Sequence, residues 1–556
     1  MSRGRITTLT LLAALIFAAT APAQVKSRAG TQIRRKHVAA AERITGLSFS
    51  KTERDSLLKD LGELQSSYES LRGLSLGNGV PPALFFNPVP LGATFETDQR
   101  PLVTSPSVQV AVPENLEALA YYSVAQLGEL IRTRRITSTQ LTTMYLTRLK
   151  RDGPRLEAVI TLTEELALKQ ARRADEEIAA GNYRGPLHGI PYGAKDLLAV
   201  KGYPTTWGAM PYKNQVLEET ATVVTRLEEA GAVLVAKLTL GALAWGDVWF
   251  GGKTRNPWNL EQGSRGSSAG PAAATAAGLV PFAIGSETWG SIVSPATRCG
   301  VTGLRPTFGR VSRAGAMTLS WSMDKLGPLC RTVEDCALVF DAIRGPDGRD
   351  QTVVDLPFNY DYRVDLSQVR IGYVAAAFEE DYPFKVMDQA VLEVLRELGA
   401  HLVPVELPDY PISDLAFILS AEAAAAFDEL TRSGRDDQLV RQIRNAWPNV
   451  FRAARFIPAV EYIQANRVRQ QVIQAMHAAL AEVEVYVSPS IAGDNLLLTN
   501  LSGHPCVVLP NGFDADGAPT SITFMGQLYD EATLLAVARA YQEATDWHRQ
   551  HPPEFP

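Results

Sequence analysis

Short apolar runs that alternate with helical segments constrain the fold of this chain more than any other feature. Seven such runs lie at 158–162, 232–236, 280–284, 369–374, 402–405, 483–487 and 506–509, and the segments between them carry apolar residues at helical spacing. Apolar runs of this length are typical of buried strands. Their alternation with helices predicts an α/β fold, in which a mixed, twisted β-sheet is covered by helices on both faces.

The first 23 residues have the pattern of a secretory signal peptide. Arg3 and Arg5 form a positively charged start, residues 9–19 are apolar, and Ala21-Pro22-Ala23 matches a small-x-small cleavage site. The apolar run is short for a bilayer-spanning helix, although an uncleaved membrane anchor stays open as the alternative. We therefore expect cleavage before Gln24, a periplasmic or secreted protein, and no stable membrane insertion of the mature chain.

Residues 24–115 are predicted to form an N-terminal helical extension and a linker. Apolar residues recur at helical spacing over 38–73, and Ser50 and Glu53 are placed to form a capping box. Residues 74–115 are rich in proline and glycine, which suits an extended linker. Residues 116–556 are then expected to form the catalytic domain, with a helical cap at 410–470.

Charge and composition exclude several classes of function. The formal net charge is −6, and loss of two arginines with the signal peptide makes it −8. A mildly acidic chain without a basic run is a poor nucleic-acid binder. The seven histidines form no motif with metal-ligand spacing, so we expect no metal and no other cofactor. Four cysteines are too few for a disulfide scaffold, and pairing of Cys330 with Cys336 stays open.

One lysine and two serines carry the chemistry that the sequence suggests. Lys195 lies in Gly-Ile-Pro-Tyr-Gly-Ala-Lys-Asp, Ser267 in Arg-Gly-Ser-Ser-Ala-Gly, and Ser291 in Gly-Ser-Glu-Thr-Trp-Gly-Ser-Ile. A serine hydroxyl becomes a good nucleophile only when a base takes its proton. A buried lysine can be that base, because desolvation favours its neutral form. The glycine-rich loops around the serines supply backbone N–H groups for an oxyanion.

Both serines are predicted to lie just before a helix. Ser294 and Pro295 suit an N-cap and a first turn, with Gly300 as the stop. Residues 271–277 are alanine-rich and are followed by a glycine, which predicts a second short helix. A helix N-terminus next to Ser291 would favour a developing oxyanion. Taken singly, each serine is better explained as an ordinary turn or cap residue.

Several longer motifs together resemble the amidase signature family, the serine hydrolases that include fatty acid amide hydrolase, peptide amidases and the glutamine-hydrolysing component of tRNA-dependent amidotransferases. The resemblance runs from about Tyr122 to Glu543. Its motifs are His188-Gly-Ile-Pro, Arg255-Asn-Pro-Trp-Asn, Gly266-Ser-Ser-Ala-Gly, Cys299-Gly-Val-Thr-Gly-Leu-Arg-Pro-Thr, Gly309-Arg-Val-Ser-Arg, Asp324-Lys-Leu-Gly-Pro and Arg331-Thr-Val-Glu-Asp. Ser267 and Ser291 are 24 residues apart, which is the interval between the two active serines of this family.

The resemblance implies the amidase-signature fold and hydrolysis of a carboxylic amide to a carboxylate and an amine or ammonia. Ser291 would be the acyl-accepting nucleophile, and Ser267, after a cis peptide bond, would relay a proton. Lys195 would be the base and later the acid. Ser268 would either donate a supporting hydrogen bond or be structural. Asp196, which follows the lysine, would either steady Lys195 or cap a turn.

The loop before the nucleophile is implied to form the oxyanion hole, through the backbone N–H groups of Thr288, Trp289, Gly290 and Ser291. Trp289 departs from the family, which usually has glycine there. Its indole would either point into the substrate pocket, as we expect, or be a structural plug. The family also usually has arginine at position 293 and glycine at positions 265 and 269, where this chain has valine, arginine and alanine. The pocket wall is therefore altered, and the substrate class does not carry over.

Other functions stay open beside an exported amidase that acts on a small-molecule amide. One is a glutamine-hydrolysing component of a tRNA amidotransferase, which works in the cytosol and so conflicts with the signal peptide. Another is a non-catalytic binding protein on the same fold, which the intact lysine and serines argue against. A third makes Ser268 the nucleophile of a G-x-S-x-G elbow, although no buried strand is expected before it. The acyl group, the amine, a preference for esters and the oligomeric state stay open.

Overall fold

The computed structural model describes residues 32–74, 76–106 and 110–556. The predicted signal peptide lies outside the described residues. Fifteen strands occur in the described part of the chain. They are β1 (Val159–Leu162), β2 (Pro191–Lys195), β3 (Val233–Leu238), β4 (Val248–Trp249), β5 (Gly252–Lys253), β6 (Arg255–Asn256), β7 (Asn259–Gly263), β8 (Phe282–Glu287), β9 (Thr302–Arg305), β10 (Lys325–Cys330), β11 (Arg370–Tyr373), β12 (His401–Pro404), β13 (Val485–Pro489), β14 (Cys506–Phe513) and β15 (Pro519–Gly526).

The same residues contain 17 α-helices. They are α1 (Arg35–Thr45), α2 (Lys51–Arg72), α3 (Val124–Arg132), α4 (Ser138–Leu156), α5 (Glu164–Ala179), α6 (Thr222–Glu229), α7 (Ala269–Ala276), α8 (Val293–Cys299), α9 (Val333–Ile343), α10 (Ala375–Glu379), α11 (Lys385–Glu397), α12 (Phe417–Ala426), α13 (Asp428–Arg432), α14 (Trp447–Ala454), α15 (Ala459–Ala479), α16 (Asn495–Ser502) and α17 (Glu531–Glu543).

Eleven of the strands form one large mixed sheet. Their order is β1-β3-β2-β8-β10-β9-β14-β15-β13-β11-β12. Strand β2 runs parallel to β3 and β8, and β11 runs parallel to β12 and β13, whereas the other neighbours are antiparallel. Each of the seven apolar runs in the sequence overlaps one of these strands. The prediction of a mixed sheet is therefore confirmed.

The large sheet is buried on both faces. Along β3, Leu234 belongs to one cluster of buried apolar side chains, whereas Val233 and Val235 belong to another. Successive side chains of a strand point to opposite faces of a sheet, so the two clusters lie on its two sides. Helices α3, α6, α9 and α17 contribute to the first cluster, and α7, α8, α15 and α16 contribute to the second. This arrangement confirms an α/β fold with helices on both faces.

The N-terminal segment begins with two helices and continues as irregular chain. The Glu53 N–H donates to the Ser50 hydroxyl at 3.3 Å, and the Ser50 N–H donates to the Glu53 carboxylate at 2.6 Å, so the predicted capping box before α2 is formed. Residues 76–106 contain no α-helix and no strand. Residues 410–470 are largely helical and include α12, α13, α14 and most of α15. The domain boundaries stay a prediction.

Candidate active site

Lys195 ends β2, an interior strand of the large sheet, and is completely buried. Its Nζ lies 2.8 Å from the Ser267 hydroxyl, 3.0 Å from the Ser268 hydroxyl and 2.9 Å from the Ser286 hydroxyl. Burial lowers the pKa of Lys195 well below its ordinary value, and nearby Asp324 and Glu287 offset only part of this shift. The amine is therefore held in a polar pocket that favours its neutral form.

Ser267 follows a cis peptide bond from Gly266, as the family resemblance implies. Gly266 has no room for a side chain, because a Cβ atom there would lie 2.0 Å from the Gly246 carbonyl oxygen. The residue before it, Arg265, has φ of +58° and donates its N–H to Asp247 at 3.0 Å. The backbone of the Ser267 loop is thus fixed by close approach to residues 246 and 247.

Ser268 links the parts of the site to one another. Its hydroxyl accepts the Ser286 N–H at 3.1 Å and donates to the Ser286 carbonyl oxygen at 3.0 Å. Its own N–H donates to the carbonyl oxygen of Ser291 at 3.1 Å. Ser268 therefore joins the lysine, the end of β8 and the predicted nucleophile through hydrogen bonds. Ser286 received no role in the sequence-based interpretation, although it lies inside a motif identified there.

Ser291 lies in the loop between β8 and α8, with 9% of its surface exposed. Within the described part of the chain, its hydroxyl has no protein hydrogen-bond partner. Gly290 before it has φ of +79°, and a Cβ atom there would come within 3.0 Å of Leu496. A glycine at this position therefore lets the chain turn sharply beside the serine.

Backbone N–H groups of this loop fall into two sets. Those of Ile292 and Val293 donate to one carboxylate oxygen of Glu287, at 2.8 and 3.0 Å. Those of residues 288–291, the predicted oxyanion hole, have no protein acceptor among the residues that the structure describes. The donors needed for an oxyanion are therefore free, while their neighbours are held.

Glu287 braces the loop from inside the protein. Its other carboxylate oxygen accepts from Arg305 at 2.7 Å and from Asn500 at 2.9 Å, and both Glu287 and Arg305 are completely buried. Burial opposes ionisation of Glu287, but the charge and hydrogen bonds of Arg305, with the hydrogen bonds from Asn500 and Val293, outweigh it and lower the pKa to about 2. Neither Glu287 nor Arg305 was predicted to have a role, although Glu287 lies in the motif around Ser291 and Arg305 in one of the motifs that carry the resemblance.

The same brace corrects the predicted helix start. Ser294 is not the N-cap of α8, because the helix begins at Val293 and its first N–H group is already satisfied by Glu287. Gly300 does end the helix, with φ of +68°. Helix α7 begins at Ala269, two residues before the predicted start.

Asp196 does not steady Lys195 through a side-chain contact. Its carboxylate accepts from the N–H and hydroxyl of Thr206, at 2.8 and 2.5 Å, and lies 2.6 Å from the ammonium of Lys237. Both charged side chains are completely buried. Of the two alternatives for Asp196, the turn cap is the one that the structure contains, together with a buried ion pair.

Trp289 is not buried in the core, because 45% of its surface is exposed, and its orientation towards the substrate pocket stays a prediction. Its side chain therefore lies at the surface beside the predicted oxyanion donors.

The four cysteines are free and buried, so Cys330 and Cys336 are not bonded to each other. In the described ranges, no group of three or more His, Cys, Asp or Glu side chains is arranged to hold a metal ion. None of the helices described is both long and apolar enough to cross a membrane.

A sheet that places a buried lysine beside the Ser267 loop, which bonds in turn to the Ser291 loop, suits a serine hydrolase built on an α/β core. Comparison with known proteins specifies the family. The family model described as Amidase matches residues 140–496. The A-type component of the glutamyl-tRNA(Gln) amidotransferase from Roseiflexus castenholzii (strain DSM 13941 / HLO8) is 36% identical over 483 residues, which cover 77% of this chain and 97% of that relative.

Solved structures agree with this family. A peptide amidase from Stenotrophomonas maltophilia has a TM-score of 0.70 and 32% identity, over 79% of this chain and 99% of that chain. A bacterial aryl acylamidase of the amidase signature family shares the fold, with a TM-score of 0.69 and 24% identity, over 77% of this chain and 97% of that chain. The chain belongs to the amidase signature family and is an amide-hydrolysing enzyme.

Proposed function

We propose that Ser291, Ser267 and Lys195 carry out this hydrolysis as a nucleophile, a proton relay and a base. The observation that carries the proposal is the buried Lys195 amine, which lies 2.8 Å from the Ser267 hydroxyl. A hydroxyl both donates and accepts, so Ser267 can take the proton of Ser291 while giving its own to neutral Lys195. The Ser291 oxygen then attacks the amide carbonyl carbon and forms a tetrahedral intermediate.

The N–H groups of residues 288–291 stabilise the negative charge on the carbonyl oxygen in this proposal. Donors that are fixed before the reaction stabilise the transition state without reorganisation. Their free state, beside the held N–H groups of Ile292 and Val293, supports this role. Collapse of the intermediate breaks the C–N bond, and the leaving nitrogen takes a proton from Lys195 through Ser267. Water, activated by the same relay, then releases the acyl group from Ser291 as a carboxylate.

We further propose that the substrate is a small-molecule amide, without a nucleic-acid partner, and that the enzyme is exported. The acidic charge and the signal-peptide pattern of residues 1–23 support this assignment. Export predicts a mature N-terminus at Gln24, to be read by N-terminal sequencing of protein from the periplasm or the medium. Protein found only in the cytosol with Met1 retained would contradict export.

A second candidate is hydrolysis of glutamine for a tRNA-dependent amidotransferase. The curated relative from Roseiflexus castenholzii, which is named as a component of a glutamyl-tRNA(Gln) amidotransferase, favours it. The two candidates differ in what the isolated protein does. An independent amidase hydrolyses acyl p-nitroanilides or amino-acid amides by itself, whereas an amidotransferase component requires its partner proteins for efficient glutamine hydrolysis.

The test is a substrate screen of the purified chain with acyl p-nitroanilides, amino-acid amides, glutamine and matched esters. We expect turnover of at least one amide by the parent protein and none by Ser291→Ala. Turnover that appears only with glutamine and added amidotransferase partner proteins would favour the second candidate. Equal turnover by Ser291→Ala would overturn the assignment of the nucleophile.

A further inference from the structure

The irregular segment of residues 76–106, called the strap here, reaches towards the candidate active site at two places. Asn78 bonds to Thr318, and the Phe86 ring lies against Arg469, which donates to Ser322. From residue 76 to residue 85 every residue is exposed except Asn78, which is half-buried. The strap lies outside residues 140–496, which the amidase family model matches. Asn78 is therefore the residue through which an otherwise exposed part of the N-terminal extension packs against the rest of the protein.

The Asn78 amide holds two parts of the catalytic region together. Its Nδ2 donates to the carbonyl oxygen of Thr318 at 3.0 Å and to that of Ala426 at 3.3 Å. Its Oδ1 accepts the N–H of Thr318 at 2.7 Å. Ala426 is the last residue of α12, where backbone carbonyls have no partner inside the helix. One side chain thus fixes both backbone groups of Thr318 and caps a helix.

Thr318 begins a loop, residues 318–324, whose hydrogen bonds reach the predicted oxyanion donors. The next two N–H groups, of Leu319 and Ser320, donate to one carboxylate oxygen of Asp324 at 2.8 and 3.0 Å. The other oxygen of Asp324 accepts from the Thr288 hydroxyl at 2.5 Å. Thr288 is the first residue of the predicted oxyanion hole. The hydrogen bonds therefore run from the strap, through this loop, to the backbone beside Ser291.

Helix α12 holds the same loop from the other side. Glu422 of this helix accepts from the Ser320 hydroxyl at 2.6 Å, and from the N–H and hydroxyl of Ser322 at 3.0 and 2.7 Å. Because Asn78 also bonds to Ala426 at the end of α12, the strap, the helix and the loop form one connected unit. Loss of the Asn78 contacts frees Thr318 at the start of the loop, while Asp324 and Glu422 still hold the residues that follow it.

We propose that Asn78 is a positioning residue, through which the N-terminal extension fixes loop 318–324 and so the oxyanion donors that begin at Thr288. The inference rests on the proposed role of these donors. It makes the strap a working part of the enzyme and not a passive linker. Oxyanion contacts form only in the transition state, so loss of alignment lowers kcat and kcat/KM together and leaves KM unchanged.

Two variants of Asn78 and one control separate positioning from general stability. Asn78→Ala removes all three hydrogen bonds. We expect kcat to fall about fivefold or more, a change in activation free energy similar to the net contribution of roughly one hydrogen bond. Asn78→Asp keeps the acceptor for Thr318 but turns a carboxylate oxygen towards two carbonyl oxygens, so its loss should be larger. Asn87→Ala is the control, because this strap asparagine is exposed and, among the residues described, its side chain accepts one hydrogen bond, from the nearby Val89 N–H.

The measurement is kcat and KM for the p-nitroanilide that the parent enzyme turns over fastest, with active sites counted by a fluorophosphonate. Counting sites removes any contribution from unfolded protein. We expect Asn87→Ala to match the parent and both Asn78 variants to lose kcat per active site at constant KM. Parent-like kcat in both Asn78 variants, or a loss confined to KM, would overturn the inference. Amide hydrolysis that survives Ser291→Ala would instead refute the proposed function.

Discussion

The loop that carries Ser267 and the loop that carries Ser291 both lead from a strand into a buried helix, yet different contacts fix them. Ser267 is completely buried and bonds directly to Lys195, within a cluster of hydroxyl groups. Ser291 is slightly exposed, its hydroxyl is free within the described residues, and its loop is braced by Glu287 and by the contact of Thr288 with Asp324. The proposed proton relay therefore lies in a closed polar pocket, whereas the proposed nucleophile lies on a loop that is held by its neighbours and is slightly exposed.

The difference suggests two separable requirements for amide cleavage. A base must be neutral before it takes a proton, and burial of Lys195 meets this requirement. Oxyanion donors must be held in place without being bonded to the protein themselves. The Glu287 brace satisfies this requirement by holding the residues on either side of the proposed donors. Changes in the first loop should therefore affect proton transfer, and changes in the brace should affect transition-state stabilisation.

The largest expected effect comes from the proton pathway itself. Ser291→Ala and Lys195→Ala should each reduce kcat by about 10⁴-fold or more while the fold remains. Their double variant should be little worse than either single variant, because residues that act as a unit are not additive. Single-turnover kinetics of the three variants checks this. Additive losses in the double variant would show that the two residues do not act in one pathway.

The pH dependence should identify the base. In the proposed mechanism neutral Lys195 accepts the proton, and its pKa is lowered mainly by burial, so kcat/KM should fall on the acid side of one apparent ionisation as the amine becomes protonated. Lys195→Ala should lose this acid limb together with most activity. Lys201→Ala, an exposed lysine that pairs with Glu218 at 3.5 Å, is the control and should keep it. An unchanged acid limb in Lys195→Ala would assign the ionisation to another group.

The brace should have the next largest effect. Glu287→Gln leaves Arg305 buried without a countercharge, which should lower the free energy of unfolding by about 3 kcal/mol and kcat by about tenfold at constant KM. Glu164→Gln, which breaks the exposed pair with Lys150, should change neither. Denaturant unfolding and steady-state kinetics give both numbers. A parent-like kcat in Glu287→Gln would show that the contacts of Glu287 do not contribute to catalysis.

The Glu287 brace also predicts the direction in which the free energy of unfolding changes at acid pH. The pKa of Glu287 is about 2 in the folded protein and 4.5 ordinarily, so its charged form stabilises the fold above pH 4.5. This contribution is lost as the pH falls from 4.5 towards 2. Glu287→Gln should therefore lose less stability than the parent over that interval.

Trp289 should give the smallest effect on the fold and a selective effect on substrates. Because 45% of its surface is exposed, Trp289→Gly should change the free energy of unfolding by no more than about 1 kcal/mol. We expect wider acyl-chain tolerance and the greatest change of kcat/KM for aromatic substrates. Trp547→Gly, 39% exposed, is the control. Equal loss of activity on every substrate in Trp289→Gly would contradict a role in specificity.

The sequence predicts the apolar strands well and the functional strand poorly. Strand β3 and the first half of β14 are apolar runs, so their pattern is clear. Strand β2 was not predicted, because Pro191, Gly193 and Lys195 interrupt its apolar character. The buried Lys195 amine is accommodated by the serine hydroxyl groups that surround it, and these come from distant parts of the chain.

The candidate site shows the same division. Lys195, Ser267 and Ser291 lie in recognisable motifs, and the structure places Lys195 beside Ser267 and links Ser291 through Ser268. The brace was not predicted, since Glu287 meets Arg305 only when β8 and β9 lie in the same sheet. Local pattern likewise suggested a serine cap for α8, whereas a buried carboxylate supplies the acceptor. Such contacts depend on tertiary structure and leave no signature in spacing.

The most direct test of the central claim is the position of a covalent adduct. A fluorophosphonate probe reacts with an activated serine, and peptide mass spectrometry of the labelled full-length protein identifies that residue. The account predicts one adduct per active chain, at Ser291, with labelling lost in Ser291→Ala and slowed strongly in Lys195→Ala. An adduct at Ser267 or Ser268, or undiminished labelling of Ser291→Ala, would contradict the assignment of Ser291 as the nucleophile.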